Sequence, residues 1–178
     1  MTQEWYQQFK VNGKYTTPKG FMNEKFFKQL SYVLPKELEG KNVLDLACNA
    51  GFVSFKLAGL GAHVIGFDKS EHYIDQANYI MKNTKVPKVR FIIADIEQLL
   101  LEAYSPHIIV LLSALYHLKD PASMVSKLCN TKADLVISLR NTNYDEYIKL
   151  FESHNMKIVR ESTYGRKRAS LIKRKDIC

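Results

Sequence analysis

The 178-residue sequence is short of the features that mark several protein classes at once. It has three cysteines, Cys48, Cys129 and Cys178, far apart and with no CxxC pair. That argues against a disulfide framework or a structural zinc site and fits a reducing cytoplasm. Its five histidines are scattered, so no His/carboxylate metal cluster is expected. The longest apolar run, Ile108–Tyr116, is interrupted by Ser113 and is about half of a membrane span. Met1-Thr2-Gln3-Glu4-Trp5 lacks the basic start and apolar stretch of a secretory signal. The expectation is a cytoplasmic protein without a membrane span. There is no GxGxxG and no GxxxxGK[ST], which disfavours dinucleotide and nucleoside-triphosphate sites.

The remaining composition is that of an ordinary globular domain, 46% hydrophobic and 25% charged. The net charge of +8 is concentrated at one end. Residues 157–178 carry eight Lys/Arg against two Asp/Glu, chiefly in Arg166-Lys167-Arg168 and Lys173-Arg174-Lys175. Such a cluster either attracts RNA, an acidic metabolite or a phosphorylated substrate, or simply solvates an edge strand.

Short β-rich runs alternate with helical stretches, the pattern of a parallel sheet covered on both faces. Strands are expected at Lys41–Leu46, Ala62–Phe67, Val89–Ala94, Ile108–Leu112 and Ala133–Leu139. Helices are expected at Phe52–Leu60, from an N-cap at Ser70 to Asn83, and at Glu97–Glu102, Pro121–Cys129 and Tyr144–His154. Lys157–Arg160 and Ala169–Ile172, joined by a turn at Gly165, are too close in sequence for a crossover and must pair antiparallel. The fold class is therefore α/β, a Rossmann-like doubly wound seven-stranded sheet, mostly parallel with an antiparallel C-terminal strand pair. Residues 1–40 fall outside the rhythm and read as an aromatic-rich helical cap or lid on a 41–178 ligand-binding domain.

In open α/β sheets ligands bind beyond the carboxyl ends of the strands. The first strand ends in Asp45-Leu46-Ala47-Cys48-Asn49-Ala50-Gly51-Phe52, a tight turn of small residues. The second ends at Asp68, where a carboxylate can bind both hydroxyls of a ribose. The third ends at Asp95, suited to an adenine amino group, and the fourth in Ser113-Ala114-Leu115-Tyr116-His117. A single acid after a strand is usually a cap. Three acids at three successive strand ends carry more information.

These motifs resemble those of the class I S-adenosylmethionine-dependent methyltransferases over roughly residues 40–175. The resemblance implies S-adenosyl-L-methionine as cofactor, with Asp45, Ala47 and Gly51 at its methionine end, Asp68 at the ribose, and Asp95 with Ile96 at adenine. Cys48, Asn49, Phe52, Lys69 and Ser113 complete the implied cofactor set. The family usually has glycine where Ala47 and Asn49 stand; Asn49 tolerates positive φ, whereas Ala47 is expected to hold an ordinary backbone angle. Trp5-Tyr6-Gln7-Gln8-Phe9, Gly13 and Thr16-Thr17-Pro18-Lys19-Gly20-Phe21 resemble the WYxxF…G…TPG opening of one branch, and Leu115–Pro121 its LYH…P segment. That branch includes the tRNA wobble-uridine carboxymethyltransferase; Lys19 is inserted into its TPG.

His117 is the candidate general base, with a helix-capping histidine as the alternative. Tyr116 either packs under the cofactor or touches substrate. Trp5, Tyr6, Phe9, Tyr15 and Phe21 either form a lid over the acceptor or staple the N-terminal segment to the sheet. Arg140 either reaches the substrate or caps the next helix. The reading is a methyltransferase acting on O or N of a small molecule. The rivals are an RNA methyltransferase using the basic C-terminus and a non-catalytic relative that keeps the fold. Oligomeric state is not legible.

Overall fold

A computed structural model of the chain describes residues 5–17, 20, 22–84, 86 and 88–175. Pro18, Lys19 and Phe21 of the N-terminal motif, and Cys178, lie outside the described residues.

The N-terminal segment holds a two-stranded hairpin, β1 (Lys10–Val11) and β2 (Lys14–Tyr15), and one seven-residue helix, α1 (Glu24–Leu30). This corrects the expected helical cap. Asn12 (φ 49°) and Gly13 (φ 80°) close the hairpin; an Asn-Gly pair favours the left-handed angles of a tight β-turn over a helix. Phe9, Val11, Phe26, Leu30, Val33 and Leu34 are buried in the same apolar cluster as Val43 and Val110 of the sheet. The N-terminal segment and the large sheet therefore share one core.

The α/β part runs β3 (Asn42–Leu46), α2 (Phe52–Gly59), β4 (His63–Asp68), α3 (Glu71–Thr84), β5 (Val89–Ile93), β6 (Ile108–Leu112), α4 (Pro121–Asn130), β7 (Asp134–Arg140), α5 (Tyr144–Ser153), β8 (Met156–Tyr164) and β9 (Lys167–Arg174). Instead of a helix over Glu97–Glu102 there are two 3-10 turns, Ile96–Gln98 and Leu101–Tyr104, separated by extended backbone at Leu99. The seven strands lie in the order β5-β4-β3-β6-β7-β9-β8. All neighbours are parallel except β9, which is antiparallel to both β7 and β8.

Strand periodicity divides the core. Val43, Val110, Leu112 and Val136 face one side with α2 and α1, while Leu44, Ile109, Leu111 and Ile137 face the other with α4 and α5. A strand covered on both faces is apolar at successive positions, and β6 is buried throughout. Chain order reverses between β3 and β6, opening a crevice at their carboxyl ends.

Candidate active site

That crevice is a cleft of about 360 Å³, within the range of small-molecule sites. Ala47, Asn49 and Asp68 bound one side, Asp95, Ile96 and Glu97 a second, and Leu112–Ala114 with His117–Lys119 a third. Tyr6, Gln7 and Met22 close it from the N-terminal segment.

The turn from β3 to α2 is built from residues in the left-handed region. Asn49 has φ 54° and Gly51 φ 81°. Ala47, contrary to expectation, has φ 56°. With Ala47 turned this way the Cys48 N–H reaches the Phe67 carbonyl of β4 at 2.9 Å, so the sheet bond supports a conformation a Cβ disfavours. Ser113, at the end of β6, shares the left-handed state with φ 58°. Backbone strain of this kind collects at functional clefts. Gly51 has no alternative, since a Cβ there would lie 2.4 Å from the Phe91 ring.

Asp68 ties the turn to the next strand. Its Oδ2 accepts the Asn49 N–H at 2.9 Å and its Oδ1 accepts the Ser70 N–H at 2.9 Å. Each oxygen retains acceptor capacity toward a hydroxyl in the cleft. Asp95 accepts the Glu97 N–H at 3.0 Å. Glu97, which the sequence reading missed, accepts the N–H groups of Lys119 and Asp120 at 3.1 Å each, fastening the loop after His117 to the end of β5.

A second missed residue is Gln7, 2% exposed. Its Oε1 accepts the Phe52 N–H at 2.9 Å and its Nε2 donates to the Cys48 carbonyl at 3.3 Å. Gly51 offers α2 no side-chain cap, so Gln7 supplies one across the fold. Its only sequence signal is its place inside the Trp5–Phe9 motif.

At the other side, Ser113 Oγ lies 3.4 Å from Ser138 Oγ and accepts from Lys167 Nζ at 2.8 Å. The Tyr164 hydroxyl is 2.5 Å from Ser138 Oγ. Burial raises the Tyr164 phenol pKa, against hydrogen bonds from Ser138 and Ser113 that lower it. The Tyr116 ring packs on His117 at 4.5 Å, and the Arg140 guanidinium lies 4.6 Å above the Tyr116 ring. Burial, with Tyr116 and Tyr73 nearby, raises the Tyr6 phenol.

A family model described as "Methyltransferase domain" matches residues 37–174. The chain belongs to the methyltransferase-domain family. Among curated relatives, the ubiquinone biosynthesis O-methyltransferase of Hahella chejuensis is 31% identical over 139 residues, covering 70% of this chain and 58% of that protein. The protein of the same name from Coxiella burnetii is 34% identical over 114 residues, covering 62% and 48%. The chain thus spans about half the length of the curated relatives it matches. Among solved structures, magnesium protoporphyrin IX methyltransferase from Synechocystis PCC 6803, with bound SAM, superposes with TM-score 0.69 at 24% identity over 78% of this chain and 72% of that one. A putative S-adenosylmethionine-dependent methyltransferase from Listeria monocytogenes gives TM-score 0.70 at 16% identity over 84% and 98%. These likenesses establish the Rossmann-like methyltransferase fold.

Within this methyltransferase domain the sequence-predicted residues separate into three groups. Ala47, Asn49, Asp68, Lys69, Asp95, Ile96, Ser113, His117 and Tyr6 line the cleft. Asp45, Cys48, Gly51 and Phe52 do not; all four are buried behind the turn. Asp45 accepts from the Ser54 hydroxyl at 2.5 Å, and desolvation lifts its carboxyl to about 7 despite the Ser54 bonds. Burial drives the Cys48 thiol well above the usual range. The third group stands apart from the cavity. Tyr116 and Arg140 stack together at its margin. Trp5 packs on Phe9 and on Tyr79 of α3 at 5.9 and 6.3 Å. Tyr15 is 60% exposed and borders a separate groove with Phe52, Phe55 and Lys56. It is not brought to the cleft because the β1–β2 hairpin turns it away, an arrangement the expected helix did not contain.

The donor set fits S-adenosyl-L-methionine. Two carboxylates at adjacent strand ends suit ribose hydroxyls and an exocyclic amine, and the narrow turn admits close backbone approach. Among the described residues no group of three or more His, Cys, Asp or Glu could hold a metal, and no helix is long and apolar enough to cross a membrane.

Proposed function

We propose that the protein is an S-adenosyl-L-methionine-dependent methyltransferase acting on a hydroxyl of a small-molecule acceptor. The carrying observation is the placement of Asp68 and Asp95 at adjacent strand ends around a cleft that also holds the β3–α2 turn and His117. The cofactor supplies an electrophilic methyl group on a sulfonium. The chain's own contribution is alignment, since in-line displacement gains most from a held, water-poor geometry. Asp68 and Asp95 orient the nucleoside, the turn at Ala47–Gly51 holds the methionine end, and Tyr6, Gln7 and Met22 exclude water. His117 takes the proton of the attacking hydroxyl, the general-base role that a positioned imidazole can fill. The O-acceptor choice is supported by the relatives named as ubiquinone biosynthesis O-methyltransferases. Cytoplasmic residence belongs to the same reading, in keeping with the free thiols of Cys48 and Cys129.

The RNA reading, with its resemblance to the tRNA wobble-uridine branch, rests on the basic C-terminus. Much of that charge is engaged within the fold. Arg168 lies 3.9 Å from Asp145, Lys173 2.6 Å from Asp134, and Arg174 donates to the Cys129 and Thr131 carbonyls. The small-molecule reading is therefore preferred.

The test is transfer of radiolabelled methyl from S-adenosyl-L-methionine into cell extract, fractionated into RNA, protein and small molecules, beside calorimetric titration of the cofactor. Label in small molecules and micromolar binding support the proposal. Ribonuclease-sensitive label, with affinity falling steeply as salt rises, replaces it with the RNA reading. Absence of cofactor binding leaves a non-catalytic relative.

A further inference from the structure

In the basic stretch Arg166–Lys175, Arg174 donates to the Cys129 and Thr131 carbonyls, and Lys167 reaches toward the cleft. Arg168 and Lys173 face carboxylates. Lys167 is half-buried, and among the described residues no carboxylate lies within ion-pair distance of it. Its Nζ donates instead to Ser113 Oγ at 2.8 Å, on the residue that closes β6 and lines the cleft. An ammonium has three N–H donors, and one is accounted for. Two further donors on this half-buried ammonium leave room for an anionic ligand.

A second cation stands beside it. The β7–β9 register places Arg140 directly opposite Lys167, at the carboxyl end of β7. The Arg140 guanidinium is held over the Tyr116 ring, which packs on His117. No carboxylate among the described residues pairs with it either. Tyr164 and Ser138 add hydroxyls to the same cluster. Asp68, Asp95 and Glu97 line the cleft together with Lys69 and Lys119, whereas Lys167 and Arg140 stand at its far margin, the first bonded to Ser113 and the second stacked on the Tyr116 ring beside His117.

We propose that Lys167 and Arg140 recognise an anionic group on the methyl acceptor, so that the acceptor is a small hydroxylated acid rather than a neutral alcohol or phenol. This rests on the methyltransferase reading and specifies its substrate class. The anion seats on the two cations, and the acceptor hydroxyl is thereby presented to His117. Carboxylate and phosphate share the required chemistry, and a guanidinium beside an ammonium suits either.

The experiment uses protein saturated with S-adenosylhomocysteine, titrated calorimetrically with 3,4-dihydroxybenzoate and with its neutral amide; 3-hydroxyphenyl phosphate serves as the phosphate arm. The expected result is at least about tenfold tighter binding of one anion than of the amide. Lys167→Met and Arg140→Met should each bring acid and amide close to parity, with S-adenosylhomocysteine affinity within about twofold of the parent. Lys167→Arg should retain the preference, which separates charge recognition from misfolding. Parity of acids and amide in the parent, or failure of both acids to bind at millimolar concentration, overturns the proposal. A Lys167→Met variant that loses S-adenosylhomocysteine instead assigns the lysine to the cofactor and also overturns it. Displacement of the acid by total tRNA at low salt, abolished in Lys167→Met, replaces the small acid with a polyanion. Should the parent fail to bind S-adenosylhomocysteine, the methyltransferase reading falls; the same titrations without cofactor then judge the cation pair by itself.

Discussion

The Asn49 N–H donates to Asp68 Oδ2 at 2.9 Å, binding the turn after β3 to the end of β4. One carboxylate thereby organises the two strand ends between which the cofactor is proposed to lie, and its other oxygen takes the Ser70 N–H as α3 begins. Hydrogen bonds to a charged group contribute about 1.5–3 kcal/mol each. Asp68→Ala should lower the melting temperature and weaken S-adenosyl-L-methionine on the order of 100-fold. Asp95→Ala removes one internal bond, to Glu97, and should weaken the cofactor with a smaller loss of stability. Calorimetry and thermal melting of the two variants check the difference; equal affinity in parent and Asp68→Ala would remove Asp68 from the site.

Ala47 holds φ 56° in the same turn. A left-handed conformation costs an L-residue about 1 kcal/mol, and glycine adopts it freely. Ala47→Gly should therefore stabilise the folded protein by up to about 1 kcal/mol and tighten the cofactor by a few-fold. Chemical denaturation and calorimetry measure both. A loss of stability would show that the Ala47 methyl contributes more by packing than its backbone angle costs.

Behind the turn, the Asp45 carboxyl is lifted from 3.8 to about 7, by desolvation first, with Asp68 adding to it and Ser54 bonds opposing. The folded state therefore holds this proton more tightly than the unfolded chain does. Its contribution to stability is full below about pH 3.8, declines as pH rises toward about 7, and is flat above that. The slope at a single such site approaches about 1.4 kcal/mol per pH unit. Asp45→Asn keeps an acceptor for Ser54 and removes the titration, so it should be more stable than the parent at pH 8 and flatter between pH 4 and 7. Denaturation across that range decides it. Identical pH profiles would mean that another group governs the dependence.

The sequence carried the sheet because its signals were redundant there. Ile108–Leu112 is apolar at every position, Asp45, Asp68 and Asp95 recur at strand ends, and the C-terminal pair is too short-linked to be parallel. The N-terminal segment was harder to read. Its aromatics suggested a helical cap, while Asn12-Gly13, a local turn signal, decided in favour of a hairpin and turned Tyr15 out of the cleft. Gln7 and Lys167 were illegible for a different reason. Each acts on a partner distant in sequence, Phe52 and Ser113 respectively, and nothing in the local pattern around a glutamine or a lysine encodes such a contact. Ala47 was misjudged because propensity favours ordinary angles, and a sheet bond from Cys48 to Phe67 overrides it.

Gln7 gives that long-range role a direct test. It is buried, and it caps the glycine-started helix α2 through the Phe52 N–H while gripping the Cys48 carbonyl. Gln7→Ala leaves both groups without their partner, costing about 1–3 kcal/mol and loosening the turn proposed to hold the methionine end. Gln7→Glu keeps the acceptor and loses the donor, so it should fall between parent and alanine in cofactor affinity, as read by calorimetric titration.

His117 and Tyr15 form the last contrast. Both were singled out in the sequence, yet His117 lines the cleft beside Ser113 while Tyr15 borders a separate groove. If His117 takes the acceptor's proton, His117→Ala should lower kcat by about 10²–10⁴-fold, the usual range for a lost general base, with cofactor affinity little changed. Tyr15→Ala should leave kcat and KM within about twofold, because its removal opens a surface groove and nothing in the cavity. Steady-state kinetics with the acceptor found by the labelling experiment tests both. An unaltered kcat in His117→Ala would return the histidine to a purely local part in the loop after β6, and a collapse in Tyr15→Ala would mean that the hairpin folds over the cleft during turnover.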